Sequence, residues 1–231
     1  DKAETEKELC YKVNAEAPAN LAKIASEIKA TFITYSTDFV FNGLIEGYLY
    51  NESTGYTEED EPHPLSTYAK AKYEGELLVS QIIENPENTS RIYIIRTSWI
   101  FGKGSMNFVE KIIELSKEKD ELKVVDEQIS SPTYSKDLAY FSWELVKKGC
   151  ESGVYHLTND GVVSKYDEAQ YILEKISWKG NLIRAKREEL GLLAERPKFS
   201  KLSCKKIKEK LGVSISNWKD AIDRYFKESK S

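Results

Sequence analysis

The stretch LSTYAKAKYEGE, residues 65–76, sets Tyr68 and Lys72 four residues apart. In a helix that spacing puts both side chains on one face. A free phenol has a pKa of about 10 and is too weak an acid to protonate a carbonyl readily at neutral pH. An ammonium held close favours the phenolate and lowers that pKa. Such a pair can deliver a proton to a ketone as hydride arrives, or take one from an alcohol in reverse. A third group must hold the carbonyl oxygen in line. YSTDFVF supplies Ser36 and Thr37 where an apolar run ends, and ligands of open α/β sheets bind at the carboxyl ends of strands.

Spacing alone decides nothing. With 14 tyrosines and 34 lysines and arginines in 231 residues, about two Tyr-x-x-x-Lys/Arg hits arise by chance. Tyr171 and Lys175 form a second hit, without a comparable strand upstream. A solvated helix face is the plain alternative for Tyr68 and Lys72, and a strand-end turn with a capping aspartate is the plain alternative for Thr37 and Asp38. The order strand, Ser-Thr-Asp, loop, Pro, Tyr-x-x-x-Lys tips the balance toward chemistry.

The elements that must position these residues follow from patterning. The opening segment carries Val13, Ala17, Leu21, Ile24 and Ile28 at helical spacing, which predicts one buried stripe, with a kink or break at Pro18. TFITYSTDFVF, RIYIIRTSWIFG, LKVVDEQ and GVYHLTN read as strands, and amphipathic helices lie between and after them. Ser66 or Thr67 is the expected N-cap of the helix holding Tyr68. This alternation predicts an α/β protein with a parallel sheet and helices on both faces. The long segment 42–64 between strand and helix has a length that usually means function or disorder.

Composition sets the outer limits. A net charge of −4 argues against nucleic acid as a partner, since that binding needs a basic surface. No apolar run is long enough to span a membrane, and no signal peptide is visible. Cys10, Cys150 and Cys204 make an odd set without CxxC spacing, so a reducing, cytoplasmic setting is expected. His63 and His156 lack ligand-spaced partners, and no metal site is expected. His156 reads as a satisfied core or edge residue. The carboxylates at 58–61 and the basic run KLSCKKIKEK read as solvated.

The motifs DKAETEKELCYKVNAEAP, YSTDFVFNG, YTEEDEPHPLSTYAKAKYEGE, IIRTSWIFGKGSMNF, DEQISSPTY, GVYHLTN and RPKFSKLS run the length of the chain. In type and order they resemble the dTDP-4-dehydrorhamnose reductase family of the extended short-chain dehydrogenase/reductase superfamily. The resemblance implies reduction of a 4-keto group on a dTDP-sugar by NADPH or NADH. It implies a Rossmann-like doubly wound sheet with a smaller interleaved substrate-binding lobe. Residues 1–101 and 134–160 would belong to the nucleotide-binding part, and 102–133 and 161–231 to the lobe. Carried over, Tyr68 is the general acid, and Lys72 tunes it and binds the nicotinamide ribose. Thr37 bonds the substrate carbonyl or the tyrosine hydroxyl, and Ser36, Thr37 and Tyr68 join Lys72 in binding the cofactor. Asp38 and Trp99 line the sugar site, Gln128, Pro132 and Thr133 lie in a loop that meets the substrate, and Arg196 is suited to a diphosphate. Enzymes of this type often pair through helices, which makes a homodimer the assembly to test.

Departures from the family pattern are Phe39 for a usual Tyr, Ser130 for a usual Gly, Phe199 for a usual Asn, and a longer loop at 42–56. They leave the exact sugar open. The first glycine is Gly43, so the Gly-rich turn that cradles a cofactor pyrophosphate is not among these residues. We expect a longer natural protein, by roughly sixty residues, with the choice between NAD and NADP lying there. Two other readings share the fold: a non-catalytic regulatory subunit like that of methionine adenosyltransferase, and a sugar-nucleotide epimerase or dehydratase. STDF offers only Asp38 as an extra acid for the latter.

Overall fold

The computed structural model describes residues 2–45, 48–49, 55–104, 106–191 and 193–229, so part of the long loop at 42–56 lies outside the described residues. Helices α1 (Lys2–Thr5), α2 (Lys7–Tyr11) and α3 (Ala17–Glu27) lead into the chain, the last two joined by a π-helical turn over Lys12–Glu16. Pro18 explains the turn. It has no N–H for the Asn14 carbonyl four residues back, and its ring would press on that carbonyl. The wider turn, in which the Ala17 N–H bonds to the Lys12 carbonyl, carries the helix past the proline. The expected break is thus absorbed as a bulge.

The expected buried stripe is not the buried face. Val13, Leu21, Ile24 and Ile28 are exposed, whereas Cys10, Ala15, Ala22 and Ala25 are buried. Small residues face inward because the helical run lies close against α4 (Thr67–Glu84). Gly75 makes the approach possible: a Cβ there would press into the Asn14 carbonyl oxygen.

After α3 come β1 (Phe32–Thr37), a small antiparallel pair β2 (Leu44–Ile45) and β3 (Tyr48–Leu49), and then α4. β4 (Ile92–Thr97), β5 (Ile100–Phe101), α5 (Phe108–Glu118), β6 (Glu121–Val125), β7 (Ile129–Ser130), β8 (Thr133–Tyr134), α6 (Ser135–Lys148) and β9 (Gly153–His156) follow. β10 (Val163–Ser164), α7 (Lys165–Lys175), β11 (Asn181–Ala185), α8 (Lys205–Leu211) and α9 (Trp218–Ser229) complete the order.

β1, β4 and β9 form a parallel sheet in the order β1-β4-β9. The central run Ile92-Tyr93-Ile94-Ile95 is wholly buried, as expected for a strand covered on both faces. Ile92 and Ile94 pack with Ala22 of α3 and Val79 of α4. Tyr93 and Ile95 pack with Leu138 and Leu145 of α6 and Ile207 of α8. Helices on both faces of a parallel sheet make this the doubly wound α/β arrangement that the alternation predicts.

A second core gathers α5, α7 and α9 around the parallel pair β6 and β11. Parallel β5–β8 and antiparallel β7–β10 pairs link it to the sheet side. α8 packs on the sheet side, although it falls within residues 161–231. The second tyrosine–lysine pair is structural: the Tyr171 hydroxyl and the Lys175 ammonium both meet Asp223 of α9, at 2.9 and 2.6 Å.

Gly75→Ala is expected to cost about 1–3 kcal/mol, because backbone rather than a flexible side chain opposes the added methyl. Urea unfolding measures it, and an unchanged midpoint would contradict the close approach.

Candidate active site

β1 delivers Ser36 and Thr37 to its carboxyl end, and the chain then turns through a short 3-10 helix at Asp38–Val40. The Thr37 hydroxyl caps that turn, accepting from the Phe39 N–H at 3.2 Å. It also faces Asp38 Oδ1 at 3.2 Å. Asp38 is 2% exposed. Its Oδ2 accepts from Ser130 at 2.9 Å and from the Ser200 hydroxyl. Burial pushes the carboxyl up to about 6, against these hydroxyls, which favour the charged form.

Ser66 is the N-cap of α4, its Oγ accepting from the Ala69 N–H at 3.3 Å. Glu4 of α1 reinforces that end, taking the Thr67 N–H at 2.9 Å and the Thr67 hydroxyl at 2.6 Å. Tyr68 therefore stands one residue beyond a doubly tied helix start, and 37% of it is exposed. Its phenol is pushed up to about 12, by burial first and by the Asp38 charge second. The expected downward pull from Lys72 is not what the structure shows. Lys72 Nζ instead donates to the Tyr35 carbonyl at 2.9 Å. Burial lowers the Lys72 pKa, and Glu76 opposes that shift.

Glu76, one turn further along α4, meets Arg96 of β4 in a buried pair. Arg96 Nε lies 3.0 Å from both carboxylate oxygens and Nη2 lies 2.6 Å from Oε2. Arg96 Nη1 is 3.3 Å from His156 Nε2, and His156 Nδ1 is 3.1 Å from the Tyr56 carbonyl. Arginine can only donate, so Nε2 accepts and Nδ1 carries the proton. Burial, then the Arg96 charge, keeps His156 neutral, its pKa well below the usual range. Glu58 is likewise committed, accepting the His156 N–H at 2.8 Å. Among the described residues no three His, Cys, Asp or Glu side chains gather as metal ligands.

Beside this strand end, a cleft of about 470 Å³ contains Gln128, Arg196, Lys111, Lys123 and Lys165 on its walls, with Phe108 and Ile112. Trp99 adjoins it: the Lys165 ammonium lies 3.5 Å from the centre of the Trp99 ring. Trp99 has φ +43°, a left-handed conformation that is costly for a bulky side chain. Pro132 and Thr133 are buried and do not line the cleft; Thr133 pairs with Ile100 in the β5–β8 ladder. Phe199 belongs to a buried cluster with Val40, Phe41, Tyr56 and Leu202.

The structure thus brings Ser36, Thr37, Asp38, Tyr68 and Lys72 to one strand end, and Gln128 and Arg196 to the neighbouring cleft. The segment 128–130 joins the two, because Gln128 lines the cleft while Ser130 holds Asp38. Sequence reasoning missed Ser130 and Ser200 as supports of Asp38, although both lie inside quoted motifs. The hydroxyls of Ser36 and Thr97 are buried without a partner among the described residues, at the carboxyl ends of adjacent parallel strands. Such orphaned groups suit a ligand that brings hydroxyls or an amide to that end.

The family model for the RmlD substrate binding domain matches residues 1–231. A spore coat polysaccharide biosynthesis protein, SpsK, of Bacillus subtilis is 35% identical over the whole chain, which spans 76% of that protein. A dTDP-4-dehydrorhamnose reductase of Aggregatibacter actinomycetemcomitans is 34% identical over 96% of the chain and 75% of its own length. Among solved structures, a dTDP-4-dehydrorhamnose reductase of Bacillus anthracis in complex with NADP matches 99% of the chain and 76% of that structure's chain. Its TM-score is 0.89 at 33% identity. One from Clostridium acetobutylicum matches 100% of the chain and 77% of its own, with TM-score 0.88 at 35% identity.

Asp38 provides a test with a definite sign. Its folded pKa, about 6, lies above the ordinary 3.8, so the protonated form favours the fold. That contribution is complete below pH 3.8 and is lost as pH rises through 6, a cost of about 3 kcal/mol for the buried charge. Asp38→Asn is therefore expected to flatten stability between pH 4 and 7, so that the variant gains on the parent as pH rises. Parallel pH slopes in denaturant titrations would exclude this.

Proposed function

The chain belongs to the RmlD substrate binding domain family, and from that premise we infer its activity. It is a dTDP-4-dehydrorhamnose reductase, using NAD(P)H to reduce the 4-keto group of a dTDP-4-dehydro-6-deoxy-L-sugar. The observation that carries this reading is the family match over all 231 residues, with reductases as relatives along the same length. The strand end fits a nicotinamide cofactor: Ser36 and Thr97 offer buried, unpartnered hydroxyls, and Lys72 stands beside them at the Tyr35 carbonyl. When bound, the cofactor supplies the hydride.

We assign the remaining work to this chain's own residues. Tyr68 holds its proton at neutral pH, because its pKa lies near 12. It releases that proton only to an oxygen made strongly basic as the ketone is reduced. A phenol of this kind resists early ionisation and acts late. Thr37 is placed to hold the carbonyl oxygen or the tyrosine hydroxyl. Lys72 binds the ribose hydroxyls. Asp38 and Trp99 border the sugar, and Gln128 and Arg196 take the nucleoside diphosphate, with Pro132 and Thr133 shaping the loop behind them.

On the same reading, the sheet side with residues 1–101 and 134–160 serves the cofactor, and 102–133 with 161–231 serves the substrate. Among the described residues no helix is long and apolar enough to cross a membrane, and a cytoplasmic location follows from the activity proposed. A homodimer joined through helices is the assembly we propose. Incubating the full-length natural protein with dTDP-4-keto-6-deoxy-L-sugar should consume NAD(P)H, followed by absorbance. No oxidation at saturating substrate would overturn the reductase reading, and a stable complex with another enzyme would favour a regulatory one. Tyr68→Phe is expected to lower kcat by roughly 10²–10⁴-fold with little change in melting temperature. Survival of activity would remove Tyr68 from the role of general acid.

A further inference from the structure

On the wall of the cleft beside the strand end, Lys165 belongs to an ion pair that the reduction chemistry leaves unused. Lys165 opens α7 and meets Glu168 one turn later at 2.8 Å, their side chains 13% and 1% exposed. Burying two charges is expensive, and an apolar pair of similar volume often serves a core as well or better. The ammonium also lies over two aromatic faces, 3.5 Å from the Trp99 ring centre and 4.0 Å from that of Phe108, which attract a cation but take no conventional hydrogen bond from it. A charge kept in such a place calls for a use.

The ammonium has three donors, and Glu168 Oε2 takes one. Among the described residues it is the only hydrogen bond that Lys165 Nζ makes. The other two donors belong to a cleft whose lining includes three more cations, Lys111, Lys123 and Arg196, and no carboxylate. None of those three has a carboxylate within 4 Å among the described residues, whereas Lys165 does. The lining therefore asks for an anion of more than one charge, next to an apolar wall. The Asp38 and Arg196 charges both act on Lys165. Its backbone N–H donates to the Gln128 carbonyl at 3.1 Å, and its side chain shares the cleft wall with Arg196.

We propose that Lys165 is a substrate-binding residue that hydrogen-bonds the sugar-proximal phosphate of the nucleoside diphosphate. Glu168 is the counterion that holds the ammonium against Trp99 until the substrate's own charge arrives. This rests on the sugar-nucleotide reading above, and deepens it by separating two cations, Arg196 and Lys165, along one diphosphate.

Calorimetry on the full-length natural protein with dTDP and thymidine as probes tests it. Lys165→Met is expected to weaken dTDP about 10- to 100-fold, the loss of one charge-assisted hydrogen bond, with thymidine within about 3-fold. Lys165→Arg should restore most of the dTDP affinity, and in turnover the Lys165→Met loss should fall on KM rather than kcat. Glu168→Gln, which covers the case in which Lys165→Met does not fold, should bind dTDP more tightly, because the diphosphate then supplies the missing countercharge. Lys165→Met binding dTDP as the parent does, losing both probes equally, or Glu168→Gln binding dTDP more weakly, would each overturn the proposal. A parent protein that binds no dTDP would overturn the sugar-nucleotide reading itself, which keeps the two failures apart.

Discussion

A carboxylate and a guanidinium, both nearly without water, tie the helix that bears Tyr68 to the middle strand of the sheet. Glu76 lies two turns beyond Tyr68 and one beyond Lys72, so the three share a helical face. Arg96 precedes Thr97 at the end of β4. Once Glu76 meets Arg96, the rotation of α4 about its axis is set, and with it the direction of Tyr68 and Lys72. Neutral His156 extends the contact to β9. Pairs of this kind add little net stability over an apolar core, yet losing one partner strands the other. Their value here is orientation.

Packing along α4 supports the same end. The proline-induced π-turn brings the Asn14 carbonyl against Gly75, where a side chain would not fit. Glycine inside a helix costs about 1 kcal/mol relative to alanine, which the close approach of two helices must offset. Glu4 and Ser66 tie the first turn. Tyr68 is thus held by contacts at one end of its helix and by a charge pair two turns on.

Much of this was legible in the sequence, for reasons that differ by residue. β1 and β4 are β-branched runs of strand length, and the helices between them repeat at the right period, so the alternation was readable. Tyr68 and Lys72 became readable only through Ser36, Thr37 and the motifs around them, since Tyr171 and Lys175 have the same spacing and a structural role. The inward face of the first helices was not readable. Alanines beside a glycine win the contact by closeness, while Val13, Leu21, Ile24 and Ile28 carry the stronger hydrophobic signal and point outward. Pairings across long separations, Ser130 and Ser200 on Asp38 or Arg96 on Glu76, leave no local trace. Nor did spacing reveal how Lys72 and Tyr68 stand: the lysine's reach to the Tyr35 carbonyl is a property of the folded strand end.

The alternation in β4 also bears on how the sheet assembles. Ile92, Ile94 and Arg96 share the face toward α4, and Tyr93 and Ile95 the face toward α6. A slip of one residue in pairing would exchange those faces. The isoleucines would tolerate the exchange, since either side is greasy. Arg96 would not, because it would be driven into the packed side of α6, away from Glu76. The buried charge, together with the Tyr93 hydroxyl that donates to the Cys150 carbonyl from the other face, thereby weighs against the one-residue error.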